Sequence, residues 1–206
     1  ILSALENRVT ATLLAGVVLF AVAAPSHAQL RLDITQGVRD AVPIAVVPFG
    51  GQAEGGASDI AAVVSNDLRM SGRFAPLERR DMVTRPASGS EIRFDDWRLL
   101  KSDFIVVGRV VPDGAGLAVS FELHNVRTGA SLLAQRLPST EKGLRATAHR
   151  IADLVFERLT GIPGAFSTRI AYVAVDGKPP AQRYRLIVAD ADGYGPRTVL
   201  ESREPI

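Results

Sequence analysis

The chain has 206 residues, of which 47% are hydrophobic and 22% charged, a balance that supports a buried core in one or two globular domains and excludes a disordered or fibrous chain. Its formal net charge is only +2, and its mostly arginine cations are interspersed with Asp and Glu along the whole length, so no continuous cationic face for nucleic acid is expected. The lack of cysteine excludes disulfides, thiolate catalysis and Cys-based zinc or iron–sulfur sites.

Arg8 precedes an apolar stretch from Val9 to Ala24, which only Thr10 and Thr12 interrupt, and Pro25-Ser26-His27-Ala28 follows. A short apolar core, a helix breaker and small residues at the end are the parts of a secretory signal peptide, expected over residues 1–28 with cleavage after Ala28. A membrane anchor is the competing reading, but about 16 apolar residues fall short of the ~20 needed to span a bilayer. The mature chain is therefore expected to be soluble and to begin at Gln29.

Leu30, Leu32 and Ile34 alternate with Arg31 and Asp33, the period of a strand with one apolar face at a free chain end. The near-continuous apolar run from Val42 to Val47 reads as a strand buried on both faces, ended by Gly50-Gly51. Ser58 then precedes Ile60, Val63, Val64 and Leu68, which predicts an N-capped amphipathic helix stopped by Gly72. Phe74 to Leu77 reads as a short strand that Pro76 confines to an edge. A loop reaches Ser90, and a short helix from Phe94 to Lys101 carries Trp97 and Leu100 toward a core. Strands over Phe104–Val111, Leu117–Leu123 and Ser131–Leu137 are expected to form an antiparallel meander.

Thr140 is placed to cap a second long helix, whose apolar stripe is Leu144, Ala148, Ile151, Leu154, Val155 and Leu159 and whose stop is Gly161. Gly161-Ile162-Pro163-Gly164 reads as a domain boundary. Beyond it, Arg169–Val175, Tyr184–Ala189 and Thr198–Leu200 are short strands with turns rich in Gly, Pro and Asp, a sheet too small to stand alone.

No catalytic centre emerges from the motifs. Gly50 to Ser58 has the strand–glycine–helix order of a phosphate loop, but Ala57 stands where a lysine is needed and Glu54 would repel phosphate. Asp190 to Glu201 half-matches a calcium loop, with Gly195 at its sixth place, yet Tyr194 fails the fifth; a hairpin turn is the stronger reading. His124 and His149 lack a second His at ligand spacing and read as structural or exposed. Glu78-Arg79-Arg80-Asp81 reads as a solvated turn, and Asp95-Asp96 as a helix start rather than an acid–base pair. No Gly-x-Ser-x-Gly elbow occurs.

Four runs together carry a resemblance: Ile44 to Phe49 (IAVVPF), Asp67 to Phe74 (DLRMSGRF), Phe104 to Gly108 (FIVVG), and above all Phe156 to Val173 (FERLTGIPGAFSTRIAYV), which crosses the domain junction. They are similar to the TolB family of the Tol-Pal envelope system, over essentially all of Gln29 to Ile206. The resemblance implies an α/β domain over residues 29–164, two-layered with a mixed sheet and two long helices. Residues 165–206 would be the first blade of an incomplete β-propeller. It further implies a periplasmic, non-catalytic protein without cofactor or small-molecule substrate, linking inner-membrane TolA to outer-membrane Pal in support of envelope integrity and division. By position, the TolA contact falls on Gln29, Leu30, Arg31, Leu32, Asp33 and Ile34. An alternating strand at a free end can add to a partner's sheet or fold back on its own protein, which agrees with that role; a plain edge strand is the competing reading. Repeats with Ser-Pro-Asp-Gly turns are missing, so most of the Pal surface is expected to lie outside this sequence and no Pal-contacting residue is assigned. The alternative function is the front end of an exported hydrolase whose propeller gates a catalytic domain encoded further on.

Overall fold

The run Val42–Val46 becomes β1, and its burial follows from its place at the middle of a sheet. Ile44 and Val46 point into one core while Ala45 and Val47 point into another, so the strand needs apolar side chains at both parities. In this computed structural model the described residues are 41–206, apart from 53, 54 and 57. The expected signal peptide, the strand at Leu30–Ile34 and the six residues assigned to TolA lie outside them.

The sheet has the order β2-β1-β3-β4-β5, with β2 at Phe74–Pro76, β3 at Phe104–Asp113, β4 at Gly116–Asn125 and β5 at Ser131–Ser139. β1 runs parallel to β2 and β3, whereas β3, β4 and β5 form the antiparallel meander, so the sheet is mixed. Pro76 sits on the edge strand opposite Ile44, where its missing N–H removes no ladder bond. The β3–β4 turn needs only Gly114 and Ala115, and Gly114 takes φ +58°, as the first position of a II′-type hairpin turn demands.

Helix α1 spans Ile60–Met70, and Asp59 rather than Ser58 caps it, accepting from Ala62 N–H at 3.1 Å. A carboxylate suits a helix N-terminus better than a hydroxyl does, and this one is also held by Arg79 at 2.6 Å. Arg79 is therefore a clamp on the helix start, which corrects the reading of Glu78–Asp81 as a purely solvated turn. Thr140 caps a single 3-10 turn through Gly143 N–H at 3.1 Å, and α3, Leu144–Thr160, begins directly after it. Gly161 ends α3 in the left-handed region at φ +73°.

The two long helices share one face of the sheet, where Ile60, Val64, Leu68, Ala148, Ile151 and Val155 meet Ile44, Val46, Val106 and Phe121. Phe74, Phe156 and Phe166 continue this core as two edge-to-face ring contacts of 6.1 and 5.6 Å, reaching from the sheet edge to the segment beyond α3. The other face is also covered, which the two-layer expectation left out. Helix α2, Phe94–Leu99, lays the fully buried Trp97 over Ala45, Val47, Ile105, Val107 and Val126. This helix ends in a Schellman pattern, Ser102 N–H to Trp97 O and Lys101 N–H to Arg98 O, with Lys101 at φ +56° where glycine is the usual residue.

Beyond Gly164 a separate antiparallel sheet has the order β6-β7-β8, with β6 at Arg169–Asp176, β7 at Arg183–Asp190 and β8 at Arg197–Ser202. Its hydrophobic side chains stay half exposed on β6 and β8, Val175 at 50% and Val199 at 52% among them. Among the described residues no helix is long and apolar enough to cross a membrane.

Candidate functional site

Polar side chains concentrate where α3 meets the small sheet. Arg145, His149 and Asp153 follow one another at intervals of four, so they share a stripe of α3 next to its apolar face. Each meets a partner remote in sequence. His149 Nδ1 lies 2.7 Å from Asp67 Oδ2 of α1, both side chains almost wholly buried. Arg145 pairs with Asp192 of the β7–β8 turn, lies 3.6 Å from Asp190 Oδ2, and stacks its guanidinium 3.9 Å from the centre of the Tyr194 ring. Asp153 accepts from Phe166 N–H at 2.7 Å, from Ser167 N–H at 3.2 Å and from the Ser167 hydroxyl. Gly164 passes so near that a Cβ there would stand 2.5 Å from Asp153 Cα.

The β7–β8 turn is preorganised for this contact. Asp192 Oδ1 accepts from Tyr194 N–H at 3.0 Å, and Gly193 adopts φ +82° while its N–H bonds Asp190 O at 2.8 Å. The half-matched calcium loop is thus a hairpin turn whose acidic oxygens face Arg145. Asp67, His149 and Asp192 bring two carboxylate oxygens and an imidazole nitrogen within 4.8 Å of one another. Arg145 already lays a positive charge on the Asp192 carboxylate, supplying what a cation would.

Electrostatics follow the geometry. Burial raises the Asp67 carboxyl above its usual value, and the His149 hydrogen bond offsets only part of that. Burial also pulls His149 down, but its bond to Asp67 and the charges of Asp67 and Asp192 outweigh that and leave it above its usual value. Burial would raise Asp192 as well; Tyr194 N–H and Arg145 overcome it and lower the carboxyl.

The remaining motif residues are occupied in holding the fold. Asp59 accepts from Gly55 N–H at 2.7 Å as well as from Ala62, so the helix end that follows the glycine-rich loop already holds the protein's own carboxylate, in line with the reading that rejects a phosphate there. Glu122 accepts from Gly89 N–H at 3.1 Å and meets His124 Nε2 at 2.9 Å, pinning the loop that precedes α2. Asp95 and Asp96 pair with Arg98 and Arg93 at the helix start. Sequence reasoning missed the Arg145–His149–Asp153 stripe; the signal for it is three ionisable residues at helical spacing of four beside the apolar stripe.

The family model of the TolB amino-terminal domain matches residues 30–132, half of the chain. The chain belongs to the TolB amino-terminal domain family. The Tol-Pal system protein TolB of Thioalkalivibrio sulfidiphilus is 42% identical over 184 residues, covering 88% of this chain and 42% of the relative. That of Methylococcus capsulatus is 44% identical over 180 residues, covering 87% and 42%. The crystal structure of TolB from Acinetobacter baumannii superposes with a TM-score of 0.70 at 36% identity, over 80% of this chain and 40% of that one. The chain spans about two fifths of the length of these TolB proteins. The match to the solved structure at this identity supports the mixed α/β architecture described above.

Proposed function

We propose that this chain is a non-catalytic, periplasmic interaction component of the Tol-Pal system, exported by cleavage after Ala28. The observation that carries this reading is the match to Tol-Pal system proteins across most of the chain, on both sides of the Gly161–Gly164 junction. Gln29, Leu30, Arg31, Leu32, Asp33 and Ile34 engage TolA by adding a strand to it, and the sequence beyond residue 164 opens a β-propeller that engages Pal. The small sheet is then a first blade, and its half-exposed Ile170, Tyr172, Val175 and Val199 await the neighbouring blades. Consistent with a non-catalytic role, the ionisable clusters at α3, at Asp59 and at Glu122 each bind backbone or an opposite charge of the chain itself. Linking TolA to Pal in this way would support envelope integrity and constriction during division.

Removing residues 29–34 from the chain that starts at Gln29 tests the reading. Affinity for TolA, measured by calorimetry, is expected to fall at least tenfold while thermal stability is retained. Equal affinity in the two forms would assign the TolA contact elsewhere.

A further inference from the structure

We propose that His149 is the proton-controlled centre of a latch that fastens the β7–β8 turn to α3, closed when the imidazole is charged and loosened when it is neutral. The placement of four charges carries this. Asp67 of α1 faces Nδ1 at 2.7 Å, and Asp192 of the turn faces Nε2 at 4.0 Å. Arg145, one helical turn before His149, pairs with the same Asp192; Asp190 and the Tyr194 ring lie against Arg145, and Tyr194 N–H donates to Asp192 Oδ1 at 3.0 Å. His149 is 3% exposed and its Nε2 has no hydrogen-bond partner among the described groups.

With Nδ1–H donated to Asp67, a neutral imidazole turns the lone pair of Nε2 toward a carboxylate. Two acceptors, Nε2 and the Asp192 carboxylate, then face each other across 4.0 Å. Adding a proton gives Nε2 an N–H to donate to Asp192 and puts a positive charge between the Asp67 and Asp192 carboxylates, so that each ring nitrogen then has an acceptor to meet. The gap of 4.0 Å closes to a charge-assisted hydrogen bond with a movement of about 1 Å, since such bonds run near 2.7–2.9 Å.

The hydrogen bond to Asp67 and the nearby carboxylates hold His149 above the usual imidazole value of 6.5 despite its burial. A group raised in the folded state contributes its full stabilisation below the unfolded value and loses it as pH climbs through the folded one. Asp192, lowered from 3.8, contributes above the carboxylate range. The latch is therefore closed in mildly acidic solution and opens on the alkaline side of 6.5.

Hydrogen exchange read on a peptide spanning residues 190–195 of the full chain, corrected for intrinsic rates, measures the latch directly. Protection of the turn is expected to fall at least fivefold between pH 5.5 and pH 8.5, and to be flat over that range in His149→Gln. The Cε1–H resonance of His149 in the unmodified chain should titrate with the same midpoint as the protection. This second readout stands even if the variant fails to fold. Discordant midpoints, or an unchanged pH profile in His149→Gln, would overturn the latch. So would recovery of full protection at pH 8.5 on adding stoichiometric zinc, which would make the cluster a metal seat instead.

Discussion

Replacing Trp97 by alanine is expected to cost about 3–5 kcal/mol, the range for emptying a fully buried aromatic position. The short helix α2 has six residues and too few bonds to persist without that anchor. The face of the sheet lined by Ala45, Val47, Ile105 and Val107 would lose its cover. Thermal melting should fall by about 6–20 °C for a chain of this size. Trp97→Phe separates packing from polarity. The indole N–H is buried without a partner among the described groups, so phenylalanine removes that unpaired donor while filling much of the space. Its cost should stay below about 1.5 kcal/mol. Similar losses in the two variants would show that the ring volume is not what holds α2 in place.

The second large effect is expected at Asp153, and it is local in a different way. Its carboxylate gathers two backbone N–H groups and one hydroxyl of the segment that leaves α3 for the small sheet. Asp153→Ala removes all of these charge-assisted bonds and should cost about 2–3 kcal/mol. Asp153→Asn keeps one acceptor oxygen and should lose about half of that. Hydrogen exchange at Phe166 and Ser167 is the check, because the N–H groups freed there would exchange faster while β1 and β3 stay protected. Uniform loosening of the whole chain would indicate that the carboxylate supports the main core rather than the junction.

Much of this architecture was legible before any coordinates. The unbroken apolar run at β1 announces burial on both faces, Pro76 announces an edge, and Gly161 announces the end of α3, because each expresses a constraint carried by a single residue or a local period. The sequence places Trp97 in a core, and the core it joins lies on the second face of the sheet. Periodicity states which side of a helix is apolar and says nothing of which sheet face it will meet. The α1 cap falls on Asp59 rather than Ser58, because Asp59 directly precedes Ile60 and accepts from Ala62 N–H; the ion pair that Arg79 adds from twenty residues away is contained in no local rule.

The polar junction was the least legible part. Asp67 and His149 are 82 residues apart, and Arg145 and Asp192 are 47 apart. Each looks like an ordinary surface residue of its own element until the fold closes. Asp192 even suggested a calcium loop, because acidic oxygens spaced around glycines serve a cation or an arginine equally well. Partner choice at such positions is a tertiary property, and only the packing of α3 against the turn reveals it.

The reading of this chain as a surface-presenting protein rather than a catalyst is tested most directly by following its backbone amides as TolA is added. Shifts should concentrate in Gln29–Ile34 and their immediate neighbours, with His149, Asp153 and Asp192 unmoved. Saturable shifts confined to the Asp67–His149–Asp192 cluster, with residues 29–34 silent, would contradict the account.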